Sequence, residues 1–269
     1  MDKNLREVQL IELEILIEVD RICKKYEIEY FLDFGTLLGA IRHEGFIPWD
    51  DDIDIGMTRD NYEKFMKIAP SKLKKEYFLQ NIDSEEQCPY LYSRLRKKNT
   101  VFLQASMVDL NINQGIFIDI FPYDYFPDIS SKRMICIKLL KRIYTLMALE
   151  KREKISDNSL KWKIGSLLKK GIHKFLNLIL SKKILESIIT KLIKKYDKNS
   201  SKFLMCCLIN KPTPILIEKM FPLDKLLFEG KEFPVIKNRD EYLTKLYGNY
   251  MKLPPESERI GHPIIEVKL

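Results

Sequence analysis

The sequence predicts an α+β fold: a mixed sheet with flanking helices and a basic helical insert. Three observations predict it. Stretches with apolar residues every three or four positions are interleaved with short strand-like runs along the chain. Of the 269 residues, 45% are hydrophobic and 11% aromatic, enough for a sizeable core and too many for disorder. Charge is also uneven. Ser130–Lys211 holds 21 Lys/Arg against 5 Asp/Glu, while the remainder holds 25 against 33.

Leu5, Val8, Ile11, Ile15, Leu16, Val19, Ile22, Cys23 and Tyr26 mark a long first helix. Glu29–Phe34 reads as a strand stopped by Gly35, and Thr36–Arg42 as a short helix with Thr36 near its N-cap. Asp52–Met57 is a strand in which Asp52, Asp54 and Gly56 alternate with Ile53, Ile55 and Met57. Arg59–Ile68 is a helix ended by Pro70, and Tyr77–Ile82, Leu91–Lys97, Val101–Gln104 and Ile116–Phe121 are strands. Met134–Leu149, Ile164–Ile179 and Ile184–Tyr196 are amphipathic and lysine-rich, so helical. Phe203–Ile209 reads as a buried strand carrying Cys206 and Cys207. A hairpin turns at Glu229-Gly230 within Leu226–Val235, and Gly248 closes a helix over Asn238–Tyr247. Residues 1–129 then form a catalytic core, 130–211 the basic insert, and 212–269 a segment packing back on the core. Five cysteines without a C-x-x-C pair and no secretory h-region predict reduced thiols in the cytosol. No apolar run approaches the ~18 residues of a spanning helix.

The stretch Ile47-Pro48-Trp49-Asp50-Asp51-Asp52-Ile53-Asp54-Ile55 is the most informative. Alternation puts Asp52 and Asp54 on one strand face, roughly 6–7 Å apart at a rise of ~3.3 Å per residue. Such carboxylates repel, and a hard cation relieves them; Mg²⁺ commonly binds one or two carboxylates plus substrate phosphates. Asp50 and Asp51 read as a solvated loop or cap. Upstream, Phe34-Gly35-Thr36-Leu37-Leu38-Gly39 passes from strand through a tight turn into a helix. Gly35 lets an anion approach the backbone, where exposed N–H groups receive it. Asp119 stands alone inside an apolar run, where an ionised carboxylate needs a cation or strong hydrogen bonds. It is the expected third acid, with Asp109 and Asp124 in reserve.

Gly35-Thr36, Asp52-Ile53-Asp54 and Asp119 together resemble the pattern of the nucleotidyltransferase superfamily. More narrowly, residues 35–54, reading GTLLGAIRHEGFIPWDDDID, resemble the LicD family of phosphocholine transferases, which includes the fukutin-type ribitol-phosphate transferases. Gly115–Pro122 and Tyr247–Pro255 extend the likeness from about Leu5 to His262, diffusely across the insert. The resemblance implies a nucleotidyltransferase-like sheet and an enzyme in which an acceptor hydroxyl attacks the choline-side phosphorus of CDP-choline, releasing CMP. It implies Mg²⁺ held by Asp52 and Asp54, with Asp119 completing the metal site or taking the acceptor proton.

Arg42, Arg94 and Arg96 are candidate phosphate clamps, since a guanidinium binds phosphate bidentately, the plain alternative being partners to surface acids. His43 is a further candidate, as general base. Aromatic faces receive quaternary ammonium, and Trp49, Tyr123, Tyr125 and Phe126 flank the acid motifs. The expected partners are CDP-choline or a related CDP-linked donor and a cell-surface glycan, such as teichoic acid or lipopolysaccharide, or its lipid-linked precursor. The basic insert adds an anionic membrane surface at the inner face of the cytoplasmic membrane, the plain alternative being solvated lysines on a helical subdomain. No nucleic-acid motif accompanies the charge. Two other functions stay open: attachment of a nucleotide to a small-molecule acceptor, and a polybasic membrane-surface adaptor.

Overall fold

A computed structural model describes residues 3–127, 132–148, 171, 178, 181–209 and 212–269. Helix α1 (Lys3–Lys25) buries a stripe of Val8, Ile15, Leu16, Val19 and Ile22, as its spacing predicts. The chain continues through β1 (Phe31–Leu32), α2 (Phe34–His43), β2 (Asp54–Thr58) and α3 (Arg59–Lys72). Strands β3 (Tyr77–Gln80), β4 (Ser93–Lys97), β5 (Val101–Gln104) and β6 (Phe117–Phe126) follow. After α4 (Lys132–Ala148) and α5 (Lys182–Ile193) come β7 (Phe203–Met205), β8 (Ile215–Leu216) and the short α6 (Ile217–Met220). A hairpin of β9 (Asp224–Phe228) and β10 (Lys231–Val235), helix α7 (Arg239–Tyr247) and β11 (Ile264–Lys268) complete the order.

The main sheet runs β1-β2-β6-β4-β3. Strands β2 and β6 are parallel, and the other neighbours along this path are antiparallel. The far end of β6 pairs with β7, which pairs with β8, and β11 pairs with β5. All ten residues of β6 are buried, because the strand is central and both its faces are covered. The register sets Asp54 beside Asp119, and Asp119 beside Arg94, in one row across three strands. Phe126, Met205 and Cys207 form a second apolar cluster with Ile137 and Tyr144 of α4 and Leu185, Ile189 and Ile193 of α5.

The α+β architecture is as expected; several boundaries are not. The strand expected over Glu29–Phe34 shrinks to two residues, because Phe34 already begins α2. The cap of α2 is Asp33, whose carboxylate accepts from the Phe34 N–H, rather than Thr36. Strand β2 starts at Asp54 rather than Asp52, so strand alternation does not orient Asp52. Helix α3 runs through Pro70 to Lys72; a proline this near the C-terminus forfeits a single hydrogen bond. Cys206 and Cys207 are buried as expected but follow β7 rather than lying in it. The helix expected over Ile164–Ile179, apart from positions 171 and 178, lies outside the described residues.

Candidate active site

The turn into α2 is the floor of the site. Asp33 is buried and accepts from the Tyr242 hydroxyl at 2.6 Å, the Tyr123 hydroxyl at 2.7 Å and the Phe34 N–H at 2.8 Å. Burial pushes it up to about 6 even so. Phe34 has φ 40°, a left-handed conformation costly for an aromatic residue, with its ring packed edge-on against Phe121. The Asp54 N–H donates to Thr36 Oγ1 at 2.8 Å, fastening the turn to the first residue of β2. A Cβ on Gly35 would stand 2.7 Å from Asp50 Oδ2, so a larger residue here has to displace that carboxylate.

The acids gather beside this turn. One oxygen from each of Asp50, Asp51 and Asp52 lies within 4.8 Å of the others. Asp51 is buried and held by His262, whose backbone N–H lies 3.1 and 3.2 Å from its two oxygens and whose Nδ1 lies 2.9 Å from Oδ1. The same Nδ1 is 3.8 Å from Asp52. The hydrogen bond to Asp51 pushes His262 up to about 9. Burial, then the neighbouring acids, push Asp50 up to about 6, Asp52 up to about 8 and Asp54 well above the usual carboxylate range. Hard oxygens converge here with more negative charge than the adjacent histidine balances. That donor set suits a divalent cation such as Mg²⁺.

Helix α1 adds another acid. Glu12 is fully buried, and among the described residues neither carboxylate oxygen has a hydrogen-bond partner. Burial, followed by Asp52, Asp51, Asp50 and Asp119, holds it well above the usual range.

The expected phosphate clamps divide. Arg94 donates through Nε and Nη2 to the two oxygens of Asp119, at 2.6 and 3.2 Å, and through Nη1 to Tyr90 and Gln104. Arg96, 1% exposed, donates to Gln80, the Gly115 carbonyl and Tyr90, and sits 4.9 Å from the Phe117 ring. Both guanidiniums face inward and spend their donors on protein acceptors, so neither is placed as the expected clamp. Tyr123 is likewise buried against Phe31 and Asp33, with its ring spent on the core rather than turned to a ligand. Arg42 is different. It is half-buried, donates to His43 and the Tyr250 carbonyl, and lies 5.9 Å from the Trp49 ring centre. Arg259 lies 5.3 Å from the same ring, and burial together with that second charge lowers Arg42 from its ordinary value. Of the reserve acids, Asp124 is buried in a bidentate pair with Arg59, and Asp109 is exposed.

Glu12, Asp33, His262 and Arg259 are absent from the sequence-derived site. One signal existed: Glu12 interrupts the apolar stripe of α1 at a core position. His262 and Arg259 reach their contacts through tertiary structure, which no local pattern announces; Asp33 offers a local cap to α2, but its two tyrosine partners are distant in sequence.

The LicD/FKTN/FKRP nucleotidyltransferase domain matches residues 27–136 of the chain. Along 98% of its length the chain is 33% identical to the lipopolysaccharide cholinephosphotransferase LicD of Haemophilus influenzae, covering 97% of that protein. An uncharacterized protein of Rickettsia prowazekii is 30% identical over 43% of this chain and 40% of its own length. One of Rickettsia typhi is 40% identical over 21% and 18%. The chain belongs to the LicD family.

Proposed function

We propose that the chain transfers phosphocholine, or a related polyol phosphate, from a CDP-linked donor to a hydroxyl of a cell-surface glycan or its lipid-linked precursor, releasing CMP. The observation that carries this reading is the convergence of Asp50, Asp51 and Asp52 beside the Gly35-Thr36 turn, with Arg42 and Arg259 across Trp49. Full-length likeness to a lipopolysaccharide cholinephosphotransferase supports the choice of transferred group and acceptor. Asp52 and Asp54 would hold Mg²⁺, which supplies charge neutralisation on a diphosphate. Asp119, oriented by Arg94, completes that set or takes the acceptor's proton. Arg42 and Arg259 are two like charges gathered on one indole, an arrangement that an anionic diphosphate relieves. Trp49 offers an aromatic surface to the donor's cationic head.

Peripheral membrane contact belongs to the same proposal. Among the described residues no helix is long and apolar enough to cross a membrane. Ile135, Leu139 and Leu146 of α4 and Ile184 and Ile188 of α5 are exposed, as are Lys138, Arg142, Lys183 and Lys191 on the same helices. That mixture suits a helix pair resting on anionic lipid. Incubation with CDP-choline, Mg²⁺ and a lipooligosaccharide acceptor is expected to yield free CMP and choline phosphate on the glycan. CTP consumed with pyrophosphate release and a nucleotide adduct, in place of those products, overturns the reading; CDP-ribitol in a parallel arm sorts the donor.

A further inference from the structure

Three polar side chains of α1 are buried along with its apolar stripe: Gln9, Glu12 and Glu18. Two of them are satisfied. Gln9 donates to the Asp50 carbonyl at 2.9 Å and to the Ile47 carbonyl at 3.5 Å, and Glu18 is bonded by Arg21 and by the Lys74 N–H. Glu12 alone has both oxygens unpartnered among the described residues. It lies one helical turn beyond Gln9, so the face of α1 that carries it is the face fastened to the acidic loop. The charges acting on it most strongly are those of Asp52, Asp51 and Asp50. At a core position flanked by Val8, Ile15 and Leu16 an unpaired acid bears its full desolvation cost, so it needs a partner that the described residues do not provide.

We propose that Glu12 is an outer ligand, through a bridging water, of the divalent cation gathered by Asp50, Asp51 and Asp52, so that α1 forms one wall of the cation site. The inference rests on the metal-dependent reading given above. A cation-bound water partners the orphaned oxygens of Glu12, and the cation's charge relieves its repulsion with Asp52. It also gives Gln9 a purpose, since that side chain fixes the distance between helix and loop.

The test is Mn²⁺ binding to the full chain, followed by electron paramagnetic resonance with and without CDP, for wild type, Glu12→Gln, Glu12→Leu and Asp52→Asn. Mn²⁺ takes the same octahedral oxygen sites as Mg²⁺. Both Glu12 variants are expected to bind Mn²⁺ at least ~10-fold more weakly, with an unchanged or higher thermal midpoint without metal. Should Glu12→Gln fail to fold, Glu12→Leu, apolar like its neighbours, carries the comparison. Binding within about twofold of wild type in the folded Glu12 variants overturns the proposal. If Asp52→Asn loses Mn²⁺ while they keep it, Glu12 falls and the acidic-loop site stands. A wild type that binds no Mn²⁺ in either condition removes both.

Discussion

The acidic rim around Asp50–Asp54 and the outer face of α4 and α5 are both out of balance, in opposite ways. On the rim, carboxylates are packed together and largely withdrawn from water, with His262 as the histidine that reaches two of them. On the helices, apolar side chains stand in water between lysines: Ile135 is 69% exposed and Ile184 58%. The rim therefore stores electrostatic repulsion that a small cation would relieve, and the helices display surface that a broad anionic layer would cover. In the function proposed above the two regions have different partners, one an ion and one a surface.

Breaking the rim is expected to have the largest effect. Asp52→Asn and Asp54→Asn should each cut turnover at least ~10³-fold, while relief of repulsion raises the midpoint of the metal-free protein by about 2–8 °C. Asp119→Asn should also lose turnover, by at least ~10²-fold. It should destabilise as well, by about 3–5 kcal/mol, since it leaves Arg94 buried without its carboxylate. Steady-state rates beside melting curves separate these cases. An Asp52→Asn protein with near-normal turnover refutes the metal assignment.

Asp119 shows what was legible beforehand. A lone acid within Phe117–Phe121 had to be compensated, and a neighbouring strand was its expected place; that it stands beside Asp54 is set by the pairing of β2 with β6, which neither strand spells out. From the sequence Arg94 and Arg96 read as phosphate clamps or as partners to acids, and the structure gives Arg94 the second role, because β4 lies inside the sheet. Asp52 was placed on the strand by alternation, yet the run of three aspartates leaves the sheet and is arranged by Gln9 and His262 instead. Periodicity reports which side of an element is buried; it is blind to contacts made 211 residues away.

The helical face is expected to show a smaller effect. Wild type should sediment with vesicles containing anionic phospholipid and not with neutral ones, and salt should weaken the association because screening shortens to ~3 Å at 1 M. Replacing Lys138, Lys183 and Lys191 with Glu should reduce partitioning at least ~10-fold, each lysine near the surface contributing ~1 kcal/mol. CMP release from the donor should be unaltered. If the wild type ignores anionic vesicles at low salt, the helices are an ordinary solvated layer.

The smallest expected effect lies in pH. Asp50 and Asp52 titrate higher in the folded chain than the ordinary 3.8, at about 6 and about 8, and His262 higher than 6.5, at about 9. Each therefore holds more protons folded than unfolded in its window, so stability falls as pH rises. The acids lose their share between pH 3.8 and about 8, and His262 between 6.5 and about 9. The metal-free midpoint should decline by several degrees from pH 5 to 9, with Mg²⁺ restoring part of it at pH 8. A flat profile would remove the repulsion from the comparison.

His262 also sets a schedule. The ribosome delivers Asp50–Asp54 first, and the histidine that clasps Asp51 arrives more than two hundred residues later, just ahead of the strand that zips onto β5. During that interval the nascent chain carries its acidic loop without the clasp. The acidic loop thus takes the arrangement described above only after residue 262 has been made, and its geometry is a late product of synthesis relative to its own sequence.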